Sequence, residues 1–144
     1  MRTLTLLAFC GAAFLATSGG QDSDLAKLQG VWDLTTVEID GKALSMDDLK
    51  ESRLVVKGDA YLFRFRDTHL DFKITLDSSQ TPKTIDMLVV EGPEKGNLYK
   101  GIYVLEGDKY KICRHIQPGQ ERPTAFGTHG DSGLMMNVYK REKT

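Results

Sequence analysis

The sequence is a succession of short segments in which apolar and polar residues alternate, with turn residues between one segment and the next. Alternation with a period of two indicates β-strands, whose successive side chains point to opposite faces of a sheet. Eight strands are predicted, at residues 30–39, 53–57, 61–66, 70–76, 84–90, 98–105, 109–116 and 134–141. Most connections are too short for a crossover helix, so neighbouring strands must be antiparallel. The sequence therefore predicts an all-β fold: an eight-stranded, antiparallel, up-and-down barrel without unpaired edges.

Two connections are longer than a tight turn. Between the first and second predicted strands, the hydroxyl of Ser45 can cap a short helix that continues to Lys50. Residues 117–132, between the last two strands, form a long loop rich in glycine and proline. We expect the barrel to carry one short helix and one extended loop.

The first residues have the layout of a secretory signal peptide. Residues 1–18 contain one basic residue, then an apolar run, then small residues. The apolar run is too short for a bilayer span, which needs about 20 residues. We expect a signal peptide at 1–18, a short N-terminal segment at 19–27 and one barrel domain at 28–144, within the usual size of a single core. The protein is expected to be secreted or periplasmic, with no transmembrane segment.

Composition and motifs argue against several function classes. The formal net charge is −1 without blocks of like charge, so no basic face for nucleic acid is visible. Cys113 is the only cysteine after the leader, which excludes an internal disulfide, and a mid-strand cysteine is more typical of a small buried hydrophobe than of a nucleophile. The three histidines fall on different predicted elements, and no serine-nucleophile or phosphate-binding glycine motif occurs. We expect no metal site, no cofactor and no catalysis.

Short motifs along nearly the whole chain after the leader match one protein family in order. They are LQGVW (28–32), VEIDGK (37–42), LD with TPKTID (76–86), KGIYVLEGD (100–108), KIC (111–113) and ERPTAF (121–126). The chain resembles the lipocalin-like domain of exported bacterial proteins that is often called the planctomycete paralogous domain. The resemblance implies a lipocalin-like fold and export, and it implies no particular activity.

The only tryptophan lies at the position where such barrels are plugged. In lipocalin-like barrels, a Trp shortly after the first glycine closes one end and packs against a basic side chain near the end of the last strand. Gly30 and Trp32 match the first part of this pattern, and Lys140 or Arg141 matches the second. A guanidinium over an indole gains about 0.5–1 kcal/mol or more. We assign Gly30, Trp32 and Arg141 a structural role.

Aromatic side chains on the third and fourth predicted strands are candidates for the barrel interior. Tyr61, Phe63 and Phe65 share one face of the third strand, and Phe72 lies on the apolar face of the fourth. An eight-stranded barrel is just wide enough to be filled by side chains or to hold one small ligand. Two interpretations stay open: a packed core, or an apolar pocket that opens at one end.

A basic residue shares the inward face of the seventh predicted strand. Strict alternation places Arg114 with Tyr110 and Ile112. An inward arginine near a barrel mouth can bind the carboxylate or phosphate of an amphiphile, whereas a bulge in the strand would make it a rim residue. The same alternation places Glu38 on the face of Trp32, where it can be the partner of Arg114 across the barrel.

These observations predict an exported lipocalin-like barrel that binds a small apolar or amphipathic molecule and performs no catalysis. The ligand-binding residues are expected to come from the following set: Glu38, Tyr61, Phe63, Phe65, Phe72, Tyr110 and Arg114. The alternative is a secreted protein-interaction or inhibitor module, in which the barrel is filled by side chains and the 117–132 loop contacts the partner. An open apolar pocket favours the first function, and a filled barrel with an exposed apolar loop favours the second.

Overall fold

The structure, a computed structural model, describes residues 23–143. The predicted signal peptide at 1–18 lies outside the described residues. Helix α1 covers residues 23–28 and helix α2 covers Met46–Leu49. Nine strands follow the chain: β1 Gly30–Ile39, β2 Lys42–Ala43, β3 Ser52–Lys57, β4 Ala60–Phe65, β5 Thr68–Asp77, β6 Lys83–Val89, β7 Leu98–Glu106, β8 Lys109–His115 and β9 Leu134–Arg141.

The eight long strands close into an up-and-down barrel. From β3 to β9, each strand pairs antiparallel with the next, β1 pairs with β3, and β9 pairs back with β1. The two-residue strand β2 pairs only with the end of β1. The predicted fold is confirmed, including the short helix, for which Ser45 is the N-cap. Closure leaves the long strands without a free edge, which protects them from pairing with another chain.

The barrel has two halves that differ in how they are filled. The closed half surrounds Trp32 and contains large buried aromatic and aliphatic side chains, with α1 packed across its end. The open half lies at the other ends of the same strands, at the level of Phe63, Leu70 and Met135, which are only partly buried. Helix α2 lies at this open half, where its Leu49 is buried.

A β-bulge in β1 reverses which residues face the interior. The register with β9 runs from the Leu34–Tyr139 pair to the Thr36–Val138 pair, so Thr35 is an extra residue. Before the bulge Leu34 faces inward, and after it the inward residue is Val37, three positions later. Strict alternation does not hold across a bulge, because one residue is left unpaired.

The bulge makes the prediction for Glu38 wrong. Glu38 lies on the outer side of the barrel, where its Oε1 accepts a hydrogen bond of 2.5 Å from the hydroxyl of Thr128. It is absent from the lining of the interior. Glu38 is therefore not the partner of Arg114 across the barrel.

The 117–132 loop packs against the outer wall of the barrel. Nη1 of Arg122 donates to the carbonyl oxygens of Ile85 and Gly101 at 3.2 and 2.9 Å, and its Nη2 donates to Asp86 at 2.7 Å. The thiol of Cys113 is buried 3.8 Å from the carbonyl oxygen of Gly127, and burial raises the pKa of this thiol. The loop thus covers outward-facing residues of the wall. Within residues 23–143, no helix is long and apolar enough to cross a bilayer.

Candidate functional site

The open half of the barrel encloses a cavity of about 210 Å³. This volume exceeds the roughly 150 Å³ of an apolar cavity that binds benzene, and it is below the roughly 300–1,000 Å³ of pockets for drug-sized ligands. The barrel is therefore packed in one half and hollow in the other. The lining is mostly apolar: Leu34, Val37, Ile39, Leu44, Leu49, Tyr61, Phe63, Phe65, Leu70, Phe72, Met87, Ile112, Arg114, Met135, Asn137 and Tyr139.

The three residues expected to be structural meet at the closed end. The indole of Trp32 is fully buried, and its Nε1 donates to the carbonyl oxygen of Leu28 at 2.9 Å. The guanidinium of Arg141 lies 4.2 Å from the indole ring. Gly30 has φ +124°, and a Cβ atom there would lie 3.2 Å from Nη1 of Arg141. A glycine at this position permits both the positive φ and the close approach of the arginine.

Helix α1 is fastened across the closed end by polar contacts. Nη1 of Arg141 donates to Gln29 O at 2.6 Å and its Nη2 donates to Lys27 O at 2.7 Å. The buried carboxylate of Asp24 accepts hydrogen bonds from the hydroxyl of Tyr103 at 2.6 Å and from Nζ of Lys83 at 3.0 Å. Burial alone would raise the pKa of Asp24, but these two donors outweigh it, and the pKa is lowered.

Tyrosines separate the closed half from the cavity. The hydroxyls of Tyr61 and Tyr110 lie 3.0 Å apart, and the ring of Tyr110 stacks on Tyr139 at 5.4 Å and meets Trp32 edge-on at 5.8 Å. Burial raises the pKa of Tyr61 and Tyr110 well above the usual range and raises the pKa of Tyr139 to about 12. The floor of the cavity is therefore formed by neutral hydroxyl groups at neutral pH.

One predicted ligand residue belongs to this floor rather than to the cavity. Tyr110 is fully buried among the other rings and does not line the cavity, so the prediction that it binds ligand is corrected. The tryptophan and the neighbouring tyrosines enclose its ring, which leaves no face free. The remaining aromatic candidates, Tyr61, Phe63, Phe65 and Phe72, do line the cavity.

The mouth of the cavity is apolar. Phe63 and Phe65 lie towards the end of β4, and Leu44, which is more than a third exposed, comes from the segment before α2. The carboxylate of Asp48 in α2 pairs with Arg66 at 3.0 Å, which ties the helix to the turn after β4. The mouth is thus lined mainly by apolar side chains, and Arg114 lies opposite Met135 near the open end of β8.

Arg114 is inside the barrel wall, as the alternation of β8 predicts, and it lines the cavity. Its Nη1 donates to the backbone oxygen of His115 at 2.9 Å, and its Cζ lies 4.4 Å from the ring of Tyr99. The other arginines of residues 23–143 pair with carboxylates: Arg53 with Glu142, Arg64 with Asp71, Arg66 with Asp48, Arg122 with Asp86 and Arg141 with Asp108. In the same part of the chain, no carboxylate oxygen lies within 4.0 Å of Arg114.

A glycine in the neighbouring strand leaves space for the side chain of Arg114. Gly101 is directly opposite Arg114 in the β7–β8 register. A Cβ atom at Gly101 would lie 3.0 Å from the backbone oxygen of Cys113 and 3.4 Å from Cβ of Arg114. Gly101 was not predicted as a site residue, although a glycine inside a strand often marks a close approach.

A buried amide with an unpaired oxygen also lines the cavity. Asn137 is 7% exposed, and its Nδ2 donates to the hydroxyl of Tyr139 at 3.2 Å. Its Oδ1 is the buried side-chain atom without a hydrogen-bond partner among the described residues. Asn137 was also missed, although a polar residue between the inward positions of Met135 and Tyr139 is a visible signal in the sequence. A buried polar atom of this kind needs an explanation, such as a water molecule or a ligand in the cavity.

The polar groups of the cavity suit binding more than proton transfer. Within residues 23–143, its lining has no His, Cys, Asp or Glu, and no group of three such residues could hold a metal ion. Burial lowers the pKa of Arg114, but an arginine stays protonated in proteins, and the raised pKa values of Tyr61 and Tyr139 keep these tyrosines neutral around pH 7. Comparison with protein-family models, with curated proteins and with solved structures found no match in any of the three.

Proposed function

We propose that this protein is an exported, lipocalin-like barrel that binds a small apolar or amphipathic molecule in the open half, without catalysis. The observation that carries the proposal is the apolar cavity of about 210 Å³ in an otherwise closely packed barrel. Protein interiors normally contain few voids larger than a water molecule, so a cavity of this size points to an occupant. Export rests on the layout of residues 1–18 and on the resemblance to the planctomycete-type domain.

A binding role fits the chemistry of the lining better than a catalytic role. General acid–base catalysis needs a group whose pKa lies near the working pH. The pKa of Tyr61 is well above that range and the pKa of Tyr139 is about 12. The lining therefore supplies shape, apolar surface and fixed polar groups.

The protein-interaction alternative receives less support from the loop on which it rests. Arg122 and Thr128 of the 117–132 loop are hydrogen-bonded to the barrel, and Pro123 is buried. The loop thus uses part of its own surface to cover the wall. The hollow half of the barrel is also the feature that distinguishes a ligand carrier from a filled interaction module.

The test fills the cavity and measures the binding of a neutral probe. We expect indole to bind the wild type, as measured by ligand-observed NMR, and Leu70→Trp to reduce its affinity at least about tenfold, because the added ring occupies the cavity. The matched control is Leu88→Trp, since Leu88 is exposed on the outer wall. Native mass spectrometry of protein from its own source should also show a small molecule that is absent from Leu70→Trp.

Two results would overturn the proposal. One is that indole fails to bind the folded wild type. The other is that Leu70→Trp and Leu88→Trp bind indole equally well.

A further inference from the structure

Two polar residues in the mostly apolar lining, Arg114 and Asn137, indicate the chemical class of the ligand. Arg114 is the arginine in residues 23–143 without a carboxylate partner, and it is the one that lines the hollow part of the barrel. A guanidinium carries five N–H donors, and the structure gives this one a single hydrogen bond, to His115 O. A charge in a low-polarity interior is costly unless an opposite charge accompanies it.

The surrounding protein does not supply that opposite charge. Tyr61, Tyr99, Tyr110 and Tyr139 interact electrostatically with Arg114, and the pKa of each is raised, so they are neutral near pH 7. The carboxylate of Glu94 accepts from the hydroxyl of Tyr99 at 3.2 Å and does not pair with Arg114. Glu38 is on the outer side of the wall, where it bonds to Thr128. Arg114 is only partly buried, and no carboxylate oxygen of residues 23–143 lies within 4.0 Å of it, so a molecule in the cavity can supply the opposite charge.

Asn137 provides a second polar contact near the same place. Ile112 is its direct neighbour across the β8–β9 pair, which makes Arg114 its diagonal neighbour on the same face. Diagonal neighbours lie about 7–8 Å apart, within reach of long side chains. The hydroxyl of Tyr139 can donate or accept, so the amide can turn either its oxygen or its NH₂ group towards the cavity. A ligand oxygen can thus meet the guanidinium on one side and an amide N–H on the other.

The size and charge of the site limit the ligand further. One guanidinium balances one negative charge, which favours a carboxylate over a doubly charged phosphate monoester. A planar carboxylate also matches the fork of an arginine. The cavity of about 210 Å³ has room for a single ring or a short alkyl chain. Phe63 and Phe65 provide an apolar wall against which this part of the ligand can pack.

We propose that the cavity binds a small, singly charged organic acid, with its carboxylate at Arg114 and Asn137 and its ring or short alkyl chain against the apolar lining. This inference rests on the proposed function and adds the ligand class. It predicts that a carboxylate is preferred over a neutral molecule of the same shape.

The experiment compares two probes that differ only in charge. Phenylacetate and phenylacetamide have nearly the same shape, so calorimetric titration of both measures the value of the negative charge. We expect the wild type to bind phenylacetate at least about tenfold more tightly than phenylacetamide. In Arg114→Met this ratio should fall to about one. Arg53→Met removes an equal charge from the exposed outer wall and should keep the wild-type ratio.

A second variant tests the site without removing the arginine. Asn137→Asp places a carboxylate beside Arg114 in a side chain of the same shape. The new carboxylate should occupy the guanidinium, so the preference for phenylacetate should be lost or reversed. Thermal unfolding should show that this variant is folded, because it now contains an internal ion pair.

The outcomes separate the two proposals. Equal affinities of the wild type for phenylacetate and phenylacetamide, or an unchanged preference in Arg114→Met, would overturn the carboxylate site and leave the binding function intact. A wild type that binds neither phenyl compound nor indole would overturn both. A wild-type preference that disappears in Arg114→Met and in Asn137→Asp, and persists in Arg53→Met, supports the carboxylate site.

Discussion

The two arginines that face the interior of this barrel have opposite environments. At the closed end, Arg141 lies over Trp32, donates to two backbone oxygens and pairs with Asp108 at 3.0 Å. In the open half, Arg114 has one backbone acceptor and the ring of Tyr99. The fold thus satisfies one guanidinium from within the chain and leaves the other to be satisfied from outside.

The same contrast holds for the other polar groups of the two halves. Asp24, at the closed end, has two hydrogen-bond donors although it is buried. Asn137, in the open half, has a buried oxygen without a partner in the described chain. Buried polar groups are normally paired, and each exception needs an explanation. We infer that the closed half provides stability and that the open half gives up some of it to keep a site.

Loss of the tryptophan should have the largest effect on the closed half. Trp32→Ala should reduce the free energy of unfolding by about 3–5 kcal/mol, because it removes a fully buried aromatic side chain and the surface under Arg141. Phe63→Ala, in the partly buried mouth, should cost about half as much. Urea unfolding measures both. A loss below about 1 kcal/mol for Trp32→Ala would mean that this residue does not hold the closed end together.

Removal of each inward-facing arginine should change the free energy of unfolding differently in the two halves. Arg141→Met should cost about 2–3 kcal/mol, because two charged hydrogen bonds, to α1 and to the residue after it, and the contact with the indole are lost. Arg114→Met should change the free energy of unfolding by less than about 1 kcal/mol, or increase it, because a partly buried charge without a carboxylate partner is removed. Thermal and urea unfolding without ligand provide the comparison. Equal losses in both variants would remove the distinction between the halves.

Acidification should weaken the closed half through Asp24. Its pKa is lowered in the folded protein, so its ionised form stabilises the fold above the unfolded pKa of about 3.9, and this contribution is lost as the pH falls through the folded pKa. Asp24→Asn should therefore cost about 1–2 kcal/mol at pH 7, and its difference from the wild type should shrink below about pH 4. Urea unfolding from pH 7 to pH 2 tests this, with the exposed Asp33→Asn as the control. A constant difference across this range would show that the ionised form of Asp24 contributes nothing.

The smallest effect is expected at Glu38. Glu38→Gln keeps an acceptor for the hydroxyl of Thr128 and lies on the outer wall, so stability should change by less than about 1 kcal/mol. The ratio of phenylacetate to phenylacetamide affinity should change less than about twofold. A change of fivefold or more in that ratio would return Glu38 to the interior as the partner of Arg114.

The strands were predictable because period-two alternation and turn residues are local signals. The eight predicted segments agree with the long strands to within a few residues, and the Ser45 cap marks α2. The position of Arg114 inside the wall also follows from local alternation, whereas the closed-end position of Trp32 was implied by the resemblance to lipocalin-like barrels. Such predictions hold as long as every residue of a strand is paired with one on the next.

The remaining features depend on contacts that local patterns do not encode. The bulge at Thr35 moved Glu38 to the outside, and a bulge changes the alternation without a clear mark in this sequence. Tyr110 shares the inward face with Arg114 but is buried in the floor of the cavity, because depth along the barrel depends on how distant rings pack. The contact of Asp24 with Tyr103 joins residues far apart in the chain. Gly101 and Asn137 were visible as exceptions in their strands, but their meaning needed the opposite strand.

The most direct test observes both interior arginines in one experiment. The Nε–Hε groups of arginine side chains give separate NMR signals, and Arg114→Met and Arg141→Met assign the two that matter. On titration with phenylacetate, the account predicts a large shift of the Arg114 signal and an unmoved Arg141 signal. If the Arg114 signal does not move at saturating phenylacetate, or if Arg141 shifts as far, the claim that the open half holds an anion-binding site is contradicted.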